Sequence, residues 1–267
     1  MAKGNASEGR GRRRRGRFGV DEVVAEVEKV VEPGLHAAQH VGGFVEGDVL
    51  VPAWRRVTRG EPRWPVAIGV LCAIGMQLAL PERVTFRNQW VLVAVELAML
   101  AVLVAANPGR IELPARWLRR VSMALIATIS AANVLSAGRL IASLLRGGEE
   151  NAGPLLLIGG AIWLTNVIAF SLWYWELDRG GPVARVQATR PYADFLFPQM
   201  QSPELAPPDW EPAFVDYLYV SFTNATAFSP TDVLPLTRWT KLTMLFQSAI
   251  SLTTVALVIA RAVNILK

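Results

Sequence analysis

Cysteine occurs once and histidine twice among the 267 residues. The single Cys72, set inside an apolar run, excludes an internal disulfide framework and a cysteine metal cluster, and is read as packing. His36 and His40 stand at i, i+4 with Glu32 one turn earlier, a spacing that can hold a metal. The chain offers no further His, so solvated or interfacial histidines are expected, with no metal and no cofactor. Charge is scarce as well: 18% of residues are Asp, Glu, Lys or Arg, against roughly 25% in soluble domains. The first 60 residues lack an apolar h-region, so no cleavable signal peptide is expected. Catalytic Ser/His/Asp and Cys/His sets and a phosphate-cradling glycine loop are also missing. Gly159-Gly160 lies mid-span, where glycine serves packing. An enzyme is therefore not expected.

What the chain has is apolar residues, 52% of the total, gathered into long runs. Five runs suit the roughly 20 residues needed to cross a hydrocarbon core of about 30 Å. They cover about Trp64–Leu80, Gln89–Ala106, Val121–Leu145, Leu155–Trp175 and Leu236–Leu266. Trp64, Trp90, Trp117, Trp173, Trp175, Trp210 and Trp239 fall at their ends, as interfacial anchors do. Glu96, Asn133, Arg139 and Asn166 are the polar residues inside the spans, and each would be costly facing lipid. Glu96 and Arg139 are candidates to pair. Glue between helices is the plainer reading of all four, an ion or proton path the sharper one.

The chain divides into five stretches. Residues 1–19 form a disordered basic tail containing Arg10, Arg12, Arg13, Arg14, Arg15 and Arg17. No nucleic-acid-binding domain follows, so anionic lipid is the expected partner of this tail and nucleic acid is not. Residues 20–60 are an amphipathic helical segment, with Val20, Val23, Val24, Val27, Val30 and Val31 on one face. Residues 61–180 hold four membrane helices, closed by Glu176, Asp178 and Arg179 as an interfacial salt-bridged collar before Gly180-Gly181-Pro182. Residues 181–212 read as a long Pro-rich loop without structure of its own. Residues 213–267 hold a half-length aromatic segment, a Thr/Ser/Pro turn, Asp232 and the last span. That layout suggests a re-entrant loop, because irregular backbone at membrane depth is tolerated only where protein buries it or water lines it.

Ser221, Ala225 and Thr226, then Asp232, then Pro235, Thr237 and Trp239 follow one another at the spacing of a known motif. In this stretch the chain resembles the pore loop of the potassium-channel superfamily, and the remainder is similar to a family of multi-pass bacterial membrane proteins with no assigned activity. The resemblance implies a pore helix and filter, with Thr226, Ala227, Phe228, Ser229, Pro230, Thr231 and Asp232 lining a pathway. Tyr219, Ser221, Pro235, Thr237 and Trp239 would brace it, Tyr219 by bonding Asp232, and Ser251 stands where the inner helix carries a hinge glycine. Both filter glycines are replaced, by Ser229 and Thr231. The alternating left-handed backbone of a potassium filter is cheap only for glycine, so a filter of that geometry is not expected. A wider ring of Thr223, Asn224, Thr226, Ser229 and Thr231, with Asp232 as an acidic ring, is expected instead, unless Phe228 plugs it.

Basic residues favour the N-terminal segment and the loops holding Arg110, Arg116, Arg119, Arg120 and Arg179, Arg185, Arg190. That bias puts the N-terminus in the cytoplasm of a cell-membrane protein, leaving the C-terminus outside and the loop entering from the cytoplasmic face. The expected fold is an all-α polytopic membrane protein with five transmembrane helices, a re-entrant pore half-helix and an N-terminal amphipathic helix. The expected function is a pore for monovalent cations, built as a homo-oligomer that the resemblance implies is a tetramer. The alternatives are a non-conducting membrane scaffold with a vestigial pore loop, and a secondary transporter using Glu96, Asn133, Arg139 and Asn166.

Overall fold

The computed structural model describes residues 51–266, apart from 86–87, 112–113, 148–150 and 228–231. The basic tail, the amphipathic segment up to residue 50 with His36 and His40, and Phe228, Ser229, Pro230 and Thr231 lie outside the described residues. Four long helices are apolar enough to cross a membrane. They are α2 (Gln89–Ala106), α3 (Arg116–Leu145), α4 (Ala152–Leu177) and α8 (Arg238–Ile265). A shorter apolar helix, α1 (Trp64–Ala79), precedes them. Pro65 sits in its first turn, where a missing N–H costs nothing. The start of α3 lies five residues before the apolar run, because Arg116, Arg119 and Arg120 are good helix formers that extend it into a polar setting. Its far neighbour α2 stops at Asn107, ahead of Pro108, which biases the preceding residue away from helix.

Helix α4 is the axis of the bundle, with α8, α3, α1 and the half-length α7 (Phe214–Ala227) packed around it. Its sequence permits this. A Cβ built on Gly159 would lie 2.8 Å from Val258 of α8, so only glycine lets the two backbones approach so closely. Gly69 of α1 does the same for the Phe214 ring, 2.9 Å from such a Cβ. Leu140, Leu155 and Ile162 fill the core at one end, and Leu125, Ile129, Leu172 and Tyr174 fill it towards the other. Outward-facing residues are largely apolar too, including Leu71, Val95, Leu157, Leu245 and Ile259. Cys72 is among the exposed ones.

The stretch read from sequence as a structureless Pro-rich loop is folded. After α4 a 3-10 turn (Asp178–Gly180) leads to α5 (Pro182–Val186), β1 (Phe195–Leu196), α6 (Pro198–Gln201) and a second 3-10 turn (Pro203–Leu205). Pro182, Pro198 and Pro203 open these short helices rather than breaking structure. Strand β1 pairs antiparallel with β2 (Leu234–Pro235), Phe195 opposite Pro235. Phe195 and Phe197 are buried and meet Tyr217, Trp239 and Trp210 edge-on, giving the segment a hydrophobic anchor of its own. The tryptophans also divide. Trp64, Trp90 and Trp117 are exposed, as interfacial anchors should be, whereas Trp175 is buried and Trp173 and Trp239 are half-buried.

Gly159→Leu is expected to destabilise the protein by about 1 to 3 kcal/mol through overpacking of the α4–α8 contact. Gly160→Leu, where a Cβ meets nothing within 4 Å, is expected to leave thermal unfolding in detergent unchanged.

Candidate functional site

Two polar layers fix the half-length helix. The first lies where α4 ends. Arg179, Gly180 and Gly181 take positive φ (51°, 86° and 101°), which turns the chain sharply and lets Asp178 face inward. The Asp178 carboxylate accepts the Tyr217 hydroxyl at 2.6 Å and the backbone N–H groups of Asp194 (3.0 Å) and Phe195 (3.3 Å). Asp194 answers in kind, accepting the Arg179 N–H at 2.7 Å and the Trp239 indole N–H at 2.9 Å. Two buried acids thus tie α4, the cap segment, α7 and the start of α8 together.

Glu61 closes the same layer from the N-terminal side. It accepts the Trp175 indole N–H at 2.6 Å and the Phe214 N–H at 2.5 Å, so its charge sits at the positive end of α7. Burial pushes the Glu61 carboxyl up from its ordinary range, and Arg185, Trp175 and the Phe214 amide pull it back. The buried Arg185 guanidinium lies 4.0 Å from Glu61, donates to the carbonyls of Trp175 and Asp178, and rests between the Trp175 and Tyr217 rings. Arg179 donates to the carbonyls of Trp54 and Arg190. Each charge is met by several dipoles, as burial demands.

The second layer lies deeper, between α4, α7 and α8, and is made of neutral groups. Gln247 of α8 is its hub. Its amide oxygen accepts the Tyr174 hydroxyl at 2.6 Å and the Asn224 amide at 2.8 Å. Its amide nitrogen donates to the Ser221 hydroxyl at 2.7 Å and carbonyl at 3.0 Å. Ser221 passes the chain on to the Val167 carbonyl (2.6 Å), Asn224 donates to the Met244 carbonyl (3.0 Å), and Asn166 donates to Ser251 (3.0 Å). Amide and hydroxyl pairs of this kind suit an apolar surround, where an unmet group is costly.

The residues singled out from sequence fall into three groups. Ser221, Pro235, Thr237 and Trp239 all sit in or beside these layers: Pro235 in β2, Thr237 as the residue before α8, and Trp239 on Asp194. Asn224, expected in a ring around a pathway, is instead buried against Gln247, where its amide nitrogen finds two acceptors, the Gln247 amide oxygen and the Met244 carbonyl. The Thr223 and Thr226 hydroxyls bond back to carbonyls of their own helix. Tyr219 is half exposed, and Tyr217, two residues earlier on the inner face of α7, bonds the Asp178 carboxylate. Asp232 is exposed between α7 and β2, and Ala227 ends α7.

The polar residues inside the apolar helices do not meet at one point. Glu96 accepts the Gln77 amide at 3.3 Å and Arg139 donates to the Thr85 carbonyl, so the expected Glu96–Arg139 pair is not formed. The two lie on helices whose facing positions are filled by nearer partners. Asn133 and Asn166 do share a cavity of about 270 Å³ between α3, α4 and α8. Of the three residues expected in an interfacial collar, Glu176 is buried and meets Arg119 at 3.5 Å, and Asp178 and Arg179 are buried as well. Sequence reasoning missed Gln247, Tyr217, Asp194, Glu61 and Arg185. Gln247 had a legible signal, an amide interrupting the apolar run of α8.

Among the described residues no group of three His, Cys, Asp or Glu is placed to hold a metal. The fold and the two layers define a helical protein with four helices suited to crossing a membrane and a short helix seated among them. No protein-family model, curated protein or solved structure matches the chain.

Gln247→Leu leaves Tyr174, Asn224 and Ser221 short of partners. It is expected to cost at least about 2 kcal/mol, seen as a lower unfolding temperature in detergent. Tyr217→Phe, which removes one of three bonds to Asp178, is expected to cost about 1 to 3 kcal/mol by the same measurement.

Proposed function

We propose that the protein is a channel-like pore for monovalent cations, assembled from several copies, in which α7 is a re-entrant half-helix and α1 a fifth span. The observation that carries this reading is the placement of α7. Its first residue meets Glu61, and Tyr217, one turn in, meets Asp178 at the end of α4. Ser221 then reaches Val167 and Phe222 meets Trp163, further back along α4. Yet α8 begins again beside Asp194, at the level where α7 started. A helix of 14 residues measures about 21 Å, too short for a hydrocarbon core of about 30 Å. A short helix whose chain starts and resumes at one level supports the re-entrant reading.

Val215, Tyr219, Phe222 and Thr226 lie on the uncovered face of α7. That stripe, with the exposed Leu242, Leu245 and Phe246 of α8, is a surface for sister subunits around a shared axis. One loop cannot enclose a pathway alone, whereas a ring of copies would bring the Asp232 side chains around a common axis. Asp232 then supplies an acidic ring that favours cations.

A second reading, a non-conducting membrane scaffold, is favoured by one observation. Ser221 and Asn224 spend their polar atoms on α4 and α8 of their own chain, which would make α7 a structural strut.

Full-length protein reconstituted in liposomes under a potassium or sodium gradient separates the two. A pore passes cations, Asp232→Asn lowers the flux severalfold, and Glu96→Gln leaves it unchanged. Absence of flux, together with a monomer in mild detergent, would remove the pore and leave the scaffold.

A further inference from the structure

A cavity of about 190 Å³ opens at the end of the bundle where α1 and α3 begin and α2 and α4 end. Among the described residues three guanidinium groups line it, from Arg63, Arg116 and Arg119, against one carboxylate, Glu176. That carboxylate is already engaged, by the Ser122 hydroxyl at 2.7 Å and by Arg119 at 3.5 Å. Arg63 is nine-tenths buried, and its Nε has no hydrogen-bond partner among the described residues. Glu176 is also the carboxylate whose charge reaches Arg63, so several guanidinium groups share one anion, a costly arrangement for a buried charge. Helix α3 adds to the imbalance. It starts at Arg116 with no side-chain cap and no acid in its first turn, leaving its first N–H groups and the positive end of its dipole at the same mouth. Leu103, Leu118 and Trp175 give the wall an apolar side, and Asn107, Ser122 and Gln187 line it elsewhere.

We propose that this cavity binds the phosphate of an acidic phospholipid. The phosphate meets Arg63, Arg116 and the start of α3, and the glycerol and first methylenes lie against Leu103, Leu118 and Trp175. Phosphate suits planar guanidinium donors that can each give two parallel bonds. The apolar wall distinguishes a lipid from a bare anion. This inference is independent of conduction and rests only on the placement of the helices across a bilayer. The loop that contributes Arg116 and Arg119 also carries Arg110 and Arg120, the basic bias of a cytoplasmic face, where anionic lipid is concentrated.

The test is native mass spectrometry of the full-length protein, delipidated in detergent and titrated separately with phosphatidylglycerol, phosphatidylcholine and inorganic phosphate. Wild-type protein is expected to retain phosphatidylglycerol at least about tenfold more than phosphatidylcholine. Arg116→Gln, at an exposed position that leaves folding intact, is expected to lower that retention about fivefold. Arg63→Gln should lower it at least as much, while Arg120→Gln, outside the cavity, leaves it unchanged. Retention of inorganic phosphate alone, lost in Arg116→Gln, would support the anion site and assign it to a soluble phosphate. Equal retention of both lipids, or an equal loss in Arg120→Gln, would overturn the proposal, since attraction would then be a general property of the basic surface.

Discussion

The pair Asp178 and Asp194 carries the architecture at one end of the molecule. Each carboxylate accepts backbone N–H groups from the other's neighbourhood, and each receives a side-chain donor from a different helix, Tyr217 of α7 and Trp239 of α8. Two buried anions a short distance apart would repel if left bare. Here each is surrounded by donors, and Arg185 and Arg179 supply positive charge nearby. Removing either acid would leave a cluster of donors aimed at nothing, so this end of the bundle has few alternative arrangements.

From that constraint the position of α7 follows. A short helix inserted among longer ones needs both a fixed start and a fixed depth. Glu61 and Asp178 set the start, and the Gln247 layer sets the depth. The two layers differ in chemistry because their surroundings differ. The charged layer lies at the end of the bundle, where the cap segment and polar loops supply many dipoles. The deeper layer around Gln247 is built from neutral amides and hydroxyls, since an ion there would meet too few of them. The same end of the bundle also holds the arginine-lined cavity beside Glu176, so one side of its charge is satisfied within the protein and the other is turned outward.

Much of the helical plan was legible. Runs of apolar residues near 20 long mark α2, α4 and α8 because a bilayer demands that length, and the observed α2 coincides with its run. The half-length of α7 was legible for the same reason, as was the role of small residues at Gly159. The cap between α4 and α7 was not. Its prolines argue against long helices, but they say nothing about short ones, and its order comes from Phe195 and Phe197 finding Tyr217 and Trp239, far along the chain. Nor was the partner choice of Glu96 and Arg139 legible, because Gln77 and the Thr85 carbonyl come from other parts of the chain and only packing brings them close.

By itself the order of residues determined how many stretches are apolar, how long each is, and where basic residues flank them, since these are properties of a linear chain in contact with a solvent. Tertiary structure alone decided which polar side chains face one another. Whether Tyr217 or Tyr219 points inward, and whether Asn224 turns to Gln247 or away, depends on the rotation of α7 about its axis. That rotation is set by Glu61, Asp178 and Gln247 acting together from three other parts of the chain.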